Sequence, residues 1–362
     1  MRKFKFVVIL AVVSVLTLGI YTVFIQSIEE SDFTVETIKG NPKQPEVRSI
    51  QAELYDNGLK DVDYNVELDG HVQKKTNNFI SYLFENPSEE KRAPADFRRF
   101  IRSDYVTMLK QDGISYAMGA PDNTKWELQY WEEGKQRVVK KIFPAPAEAR
   151  KLGKAEVNPY KRIGNLLYVT VYDLQTEVGT QLYKMDLKSG TIKQIKLPVT
   201  SKGKVTEVSL VGIDGETIAY STTESIDESD ATNDKLFVSN GKTTQRVKGL
   251  KSFNTNQTEL SADGSKLIVL EREMKDFNWT VYDIKTKQIK KHSMDIPLVT
   301  DDFGLGEFTE LKDGLIYTAN RLDDGIYNVR VIDPITDRIL YEGNIKDKLK
   351  REESSLNGLI LK

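Results

Sequence analysis

The strongest constraint on this fold is a turn that recurs about every fifty residues. A glycine, usually preceded by aspartate, is followed each time by a short apolar run. It stands at Asp112-Gly113 before Ile-Ser-Tyr-Ala and at Ile163-Gly164 before Asn-Leu-Leu-Tyr-Val. It returns at Asp214-Gly215 before Glu-Thr-Ile-Ala-Tyr, at Asp263-Gly264 before Ser-Lys-Leu-Ile-Val, and at Asp313-Gly314 before Leu-Ile-Tyr. The steps between these glycines are 51, 51, 49 and 50 residues. Each unit holds a second turn, at Glu133-Gly134, Ser189-Gly190, Asn240-Gly241, Lys285-Thr286 and Pro334-Ile335. The flanks alternate, as in Gln181-Leu-Tyr-Lys-Met-Asp-Leu187. Period-two alternation broken by Gly, Asp or Asn turns predicts antiparallel strands.

Four strands in about fifty residues make one blade of a β-propeller. A single such sheet cannot bury both faces, so blades pack radially and cover one another. The expected fold is all-β, a propeller of six blades, with seven as the alternative. The C-terminal Leu356-Asn-Gly358-Leu-Ile-Leu-Lys362 resembles Lys312-Asp-Gly314-Leu-Ile-Tyr, so a sixth unit is expected to begin there and stop after two strands. Ser49-Ile-Gln-Ala-Glu-Leu-Tyr-Asp-Asn-Gly58 resembles Thr180-Gln-Leu-Tyr-Lys-Met-Asp-Leu-Lys-Ser-Gly190 and is expected to supply the missing hairpin. The two chain ends would then share one blade and leave no open sheet edge. Residues 65–103 do not fit the repeat and read as an insertion or degenerate blade with a short helix; Asp69-Gly70 is what supports a count of seven.

The N-terminus reads differently. Residues 6–25 carry no charge, and twenty helical residues span about 30 Å, the thickness of a bilayer core. Arg2, Lys3 and Lys5 precede this run, and Glu29, Glu30 and Asp32 follow it. The positive-inside rule keeps residues 1–5 in the cytoplasm and exports the rest. A cleaved signal peptide is the rival, but the run is long and ends in bulky Tyr21-Thr-Val-Phe-Ile25. The expected organisation is a cytoplasmic tail (1–5), a transmembrane signal anchor (6–25), a stalk (26–47) and an extracytoplasmic propeller (48–362). The expected location is the cell membrane, single-pass.

Composition narrows the chemistry. The chain has 52 Lys and Arg against 54 Asp and Glu, which argues against an electrostatic grip on nucleic acid. It has no cysteine, so disulfides, thiolate catalysis and Cys-ligated metals are excluded. Its two histidines, His71 and His292, cannot form a His-rich metal site.

One unit carries a family resemblance. Ser261-Ala-Asp-Gly-Ser-Lys-Leu-Ile-Val269, followed by Trp279-Thr-Val-Tyr-Asp-Ile-Lys-Thr-Lys-Gln-Ile289, resembles the repeat of TolB-like (WD-type) propellers, with Ala262 in place of the family's Pro. The other units match mainly in the turn glycine and the second hairpin. The resemblance implies architecture. It also implies interaction and scaffolding more than catalysis, although propellers host many activities.

Few residues stand out as site candidates. Glu224-Ser-Ile-Asp227-Glu228-Ser-Asp230-Ala-Thr-Asn233-Asp234 offers oxygens, yet lacks the order and the Gly of a calcium loop, and reads as a solvated blade-tip loop. Trp126-Glu-Leu-Gln-Tyr130-Trp131 suggests a sugar platform, but strand alternation puts Trp126 and Tyr130 on one face and Trp131 on the other, and core packing is the simpler reading. His292 is expected to be exposed at a strand end, and His71 follows the Asp69-Gly70 turn. Glu89-Glu-Lys-Arg92 and Lys348-Leu-Lys-Arg-Glu-Glu353 read as solvated faces. No catalytic residue, cofactor or metal ligand is assigned. The expected function is an envelope interaction or regulatory module that holds a protein or glycan partner near the membrane. The alternative is a carboxylate-based glycan lyase or hydrolase working in the propeller channel. In a third reading the anchor helix itself carries the interaction.

Overall fold

A computed structural model describes residues 14, 33–56, 62–76, 93–122, 124–135, 137–152, 155–173, 181–198, 204–225, 232–250, 257–272, 277–294, 307–323, 325–348 and 354–361. Among these residues the strands form six antiparallel sheets. Sheet I holds Thr107–Gln111, Ile114–Asp122, Lys125–Glu132 and Val138–Pro144. Sheet II holds Ala155–Ile163, Leu166–Asp173, Gln181–Asp186 and Ile192–Ile195. Sheet III holds Lys204–Asp214, Thr217–Ser225, Thr232–Ser239 and Thr244–Arg246. Sheet IV holds Thr258–Leu260, Lys266–Arg272, Phe277–Asp283 and Ile289–Met294. Sheet V holds Glu307–Lys312, Leu315–Asp323, Ile326–Asp333 and Arg338–Asp347, with Phe33–Gly40 added outside the last. Sheet VI places Ser354–Leu361 beside Ile50–Asp56, Val62–Glu67 and Val72–Thr76.

Neighbouring strands are antiparallel in every sheet, and the first strands of sheets I and II, III and IV, IV and V, and V and VI approach one another. They therefore stand around a common axis, as the blades of a propeller do. The turn residues explain the punctuation. Asp112 and Gly113 both have positive φ (53° and 70°), as do Asp313 and Gly314 (53° and 77°). Such two-residue turns match the right-handed twist of the strands they join. All first-to-second and third-to-fourth turns lie at one end of the sheets, here the hairpin mouth. The last residues of the second and fourth strands lie at the other, the loop mouth.

The shared closing sheet is present, with its composition corrected. The C-terminus gives one strand rather than two, and the N-terminus gives three. Gly358 is not a turn. It sits within Ser354–Leu361, opposite Glu53, where a Cβ would come within 3.2 Å of the Phe308 ring. Residues 65–76, expected in the insertion, belong to sheet VI, and Asp69-Gly70 turns between its last two strands. Residues 77–92 lie outside the described residues. The short helix of this region is Ala95–Ile101.

Residues 33–40, expected in the stalk, pair instead with Arg338–Asp347, from Phe33 opposite Asp347 to Gly40 opposite Tyr341. The cause is visible in the side chains. Phe33 is 2 % exposed and meets Tyr64 edge-on at 4.9 Å, so the segment seals the interface between sheets V and VI. Val47 of the short helix Pro45–Arg48 is also buried in that cluster. Among the described residues no helix is long and apolar enough to cross a membrane. The expected anchor, residues 6–25, lies outside the described residues except for Ser14.

Adjacent sheets are also latched at the hairpin mouth by side chains reaching one repeat ahead. Gln111 accepts the Arg162 N–H at 2.8 Å and donates to its carbonyl at 2.9 Å, extending the ladder from sheet I to sheet II. Lys161 donates to the Ile213 carbonyl at 2.8 Å, and Lys312 to the Leu361 carbonyl at 2.7 Å. Between sheets III and IV the backbones come so close that a Cβ on Gly212 would meet Leu260 at 2.5 Å.

The interfaces are not equivalent. Apolar clusters join each sheet from I to VI to the next, and a further cluster packs helix Ala95–Ile101 on the other face of sheet I. Three of these faces also carry buried polar groups. There lie buried polar atoms without a protein partner: Asn158 Oδ1 and Thr222 Oγ1 between II and III, His292 Nε2, Thr318 Oγ1 and Asn328 Oδ1 between IV and V, and Gln129 Oε1 on the face of sheet I turned away from II. Buried polar groups of this kind are ordinarily satisfied by water.

Candidate functional site

The hairpin mouth concentrates the titratable groups. Glu259, on the short first strand of sheet IV, sends its carboxylate into the Asp313-Gly314 turn of sheet V and accepts the Gly314 N–H at 2.9 Å. Burial pushes its pKa above the ordinary value, the Gly314 amide pulls it back, and the Asp313 charge raises it again. Tyr160, on the first strand of sheet II, is pushed up to about 12 by burial and then by the charge of Glu259. Tyr160 belongs to sheet II and Glu259 to sheet IV, so the charge of Glu259 is felt two sheets away. Tyr317 is likewise pushed up to about 12, first by burial, then by Asp313, Glu259, Glu46 and Glu310. Both phenols are therefore neutral donors over the physiological range.

Beside this cluster, between sheets V and VI, lies a pocket of about 310 Å³ lined by Pro45, Glu46, Ser49, Lys312, Asp313, Leu315, Tyr317 and Leu361. Its polar groups are two carboxylates, a hydroxyl, a phenol and an ammonium already bonded to the Leu361 carbonyl. Such a pocket can hold a polar or cationic group. Glu259 does not line it. A buried acid with a raised pKa can in principle serve as a general acid. Here the Gly314 turn amide occupies it.

The residues singled out from sequence fall elsewhere. Trp126 is 1 % exposed and stands edge-on to Tyr183 at 5.2 Å in the core between sheets I and II. Trp131 is buried under the helix Ala95–Ile101, its ring 6.1 Å from that of Phe97, and it donates to the Lys135 carbonyl at 2.6 Å. Both faces of this strand are covered, so it offers no sugar platform. His292 is not exposed. Its ring stacks on Trp279 at 5.3 Å, and its Nδ1 lies 3.2 Å from the Asp337 carboxylate. His71 is exposed beside the Asp69-Gly70 turn, where its N–H meets the Asp69 side chain at 3.1 Å. Of the acidic loop, 226–231 lie outside the described residues, while Asn233 and Asp234 fall within strand Thr232–Ser239. The run 89–92 also lies outside them, as does 349–353.

The Ser261-Ala-Asp263-Gly264-Ser265 motif proves to be a turn lock. Ser261 Oγ donates to Asp263 at 2.7 Å and accepts the Lys266 N–H at 2.9 Å, while the Ser265 N–H and hydroxyl both reach Asp263. These bonds, the Ser261 hydroxyl first, hold the Asp263 carboxyl down at about 2. What sequence reading missed is Glu259, Tyr160 and Tyr317. The available signal was a lone acid between buried Thr258 and Leu260, one repeat before a turn glycine.

No family model matches the sequence, and no curated protein matches it. Among solved structures, it is similar to TolB from Acinetobacter baumannii at 13 % identity, over 85 % of this chain and 66 % of that one, with a TM-score of 0.37. It is similar to an oligogalacturonate lyase in complex with manganese at 14 % identity, over 85 % and 83 % of the two chains, with a TM-score of 0.39. It is similar to a prolyl endopeptidase at 16 % identity, over 72 % of this chain but 38 % of that one, with a TM-score of 0.40. The chain thus spans less than two thirds of the length of TolB and of the endopeptidase. By its own repeat and sheet order, it is a β-propeller protein that resembles the TolB-like group.

Proposed function

We propose that this chain is a membrane-anchored, extracytoplasmic six-bladed propeller that acts by binding a protein or glycan partner at the cell envelope. The observation that carries the binding reading is Glu259: among the described residues it is the acid whose pKa is raised by burial, and its carboxylate is bonded to the neighbouring turn. Lys161 and Lys312 are spent in the same way on neighbouring carbonyls. The charged groups of the hairpin mouth hold the blades together and leave the outer turns as a rigid contact surface. The uncharged run 6–25 and the cations before it support anchoring with the C-terminal domain outside. Mild cross-linking on membranes, followed by purification of the full chain, tests this reading. Recovery of one specific envelope protein or glycan supports it, and recovery of none counts against it.

A second reading follows from the pocket between sheets V and VI, which Glu46, Asp313 and Tyr317 line together. Two carboxylates in one pocket are the minimum for glycan hydrolysis. Turnover of an acidic or neutral polysaccharide that is lost in both E46Q and D313N would favour this enzyme reading over the first.

A further inference from the structure

The pocket between sheets V and VI is lined by polar groups that the fold itself does not use. Tyr317 is only 7 % exposed, yet its hydroxyl has no hydrogen-bond partner among the described residues. A buried phenol ordinarily finds one. Tyr317 shares a strand face with Leu315, two residues before it, and both line the pocket. Its ring is fixed by packing in the core between sheets V and VI. The hydroxyl is therefore held in place with its hydrogen bond still to be made from the pocket side.

The walls around it carry negative charge. Glu46 stands on the helix Pro45–Arg48, which buried Val47 holds against the same core. Asp313 stands in the turn that Glu259 fixes through the Gly314 N–H. Both side chains are exposed, and neither has an ion-pair or hydrogen-bond partner among the described residues. The cation of the lining, Lys312, donates to the Leu361 carbonyl at 2.7 Å and pairs with neither. The charges felt at the Tyr317 phenol are those of Asp313, Glu259, Glu46 and Glu310, all of one sign. Such a field favours a cation. Among the described residues no three acids or histidines converge closely enough to hold a metal ion. An ammonium asks for less. Its three N–H donors match two carboxylates and one hydroxyl oxygen. The remaining wall is Pro45, Leu315, Leu361 and the Tyr317 ring, which suits an alkyl stem. Ser49 is the one further hydroxyl of the lining, so the several hydroxyls of an amino sugar would go largely unpaired. The volume of about 310 Å³ is at the lower limit of ligand clefts and suits a side chain rather than a polymer.

We propose that this pocket takes the side-chain ammonium of a lysine on a protein partner, its stem against Leu315 and Leu361 and its charge between Glu46, Asp313 and the Tyr317 hydroxyl. The proposal deepens the binding reading, and it rests on that reading in taking the hairpin mouth as the contact surface. It adds a charge specificity: the partner is read through a protruding lysine.

The full chain, isotope-labelled at its leucine methyls, is titrated with Nα-acetyl-lysine methylamide, with its neutral Nε-acetylated counterpart and with glucosamine. A saturable shift of the Leu315 and Leu361 methyl signals by the lysine amide is expected, with none from the neutral counterpart. Y317F, E46Q and D313N are each expected to weaken binding by about threefold or more. Glu46 is exposed, and asparagine tolerates the positive φ of 53° at position 313, so these changes leave the sheets intact. Equal shifts from the neutral counterpart would overturn the proposal, because charge would not be what is recognised. So would shifts that survive all three substitutions, or tighter binding of glucosamine, which would put an amino sugar in place of the lysine. A titration with no saturable shift would overturn it as well, while the partner reading would still stand or fall by the cross-linking result.

Discussion

Glu259 and Gly314 are joined across the interface between sheets IV and V, the carboxylate of one accepting the turn amide of the other at 2.9 Å. The bond lies where every pair of successive sheets must be held in register around the axis. It carries an electrostatic cost, because burial disfavours the charged carboxylate. The folded pKa of Glu259 lies above its ordinary value of 4.5. The folded state then holds the proton more tightly than the unfolded chain, so stability falls as pH rises from about 4.5 through the folded value. The variant E259Q keeps an acceptor for Gly314 and removes this dependence. Its melting temperature is expected to equal or exceed that of the parent at pH 7, with the advantage vanishing toward pH 4. The variant E259A strands the Gly314 amide and is expected to lose about 1–2 kcal/mol near pH 4, with the deficit against the parent narrowing as pH rises. Thermal unfolding of the three proteins from pH 4 to 7 checks both statements.

Asp263 has the opposite sign. Its folded pKa is held near 2, below the ordinary 3.8, by the hydroxyl and amide donors around it. Its contribution is complete above 3.8 and is lost as pH falls through about 2. The variant D263N is expected to be less stable at neutral pH by about 1 kcal/mol, since the site is open to solvent. The difference should shrink below pH 3 in denaturant titrations.

The unpartnered atoms between sheets II and III predict bound water. Thr222 is fully buried, and its Oγ1 has no protein partner. The variant T222V preserves shape but removes the bond to that water, with an expected cost of about 1 kcal/mol. An ordered water beside Thr222 in a high-resolution crystal structure, absent in the variant, is the direct check. A more stable T222V would mean that the interface is dry.

Closure predicts a sharp effect of truncation. Removing residues 354–362 leaves Ile50–Asp56 with an open edge and uncovers Leu54 and Ala52. The shortened chain is expected to lose its cooperative melting transition and to aggregate. Adding the missing segment back as a synthetic peptide should restore the transition if Ser354–Leu361 serves only as the closing strand.

Much of this architecture was legible in the sequence because its turns are chemically forced. Asp112-Gly113 and Asp313-Gly314 need positive φ at both central positions, which few other residue pairs tolerate. Gly358 misled for the same reason: glycine also serves where a neighbouring ring comes too close for a Cβ, as Phe308 does. The strand at Phe33–Gly40 was hidden because its partner lies some three hundred residues away and its outer side is solvated. Core packing was the simpler reading of Trp126 and Trp131, and both are buried, Trp131 under helix Ala95–Ile101. His292 was expected to be exposed and is instead covered by the Trp279 ring, because alternation tells which face a side chain takes but not what covers it. The Glu259 cluster was illegible for a plainer reason. It is assembled from three sheets, and each of its residues is unremarkable in its own strand.

The buried polar atoms without a protein partner are not spread evenly over the described residues. Between sheets II and III and between sheets IV and V they lie beside the apolar clusters that join those sheets. These two seams are therefore keyed as well as greased: a sheet that slipped by one residue pair would forfeit its water-bridged polar contacts together with its apolar ones.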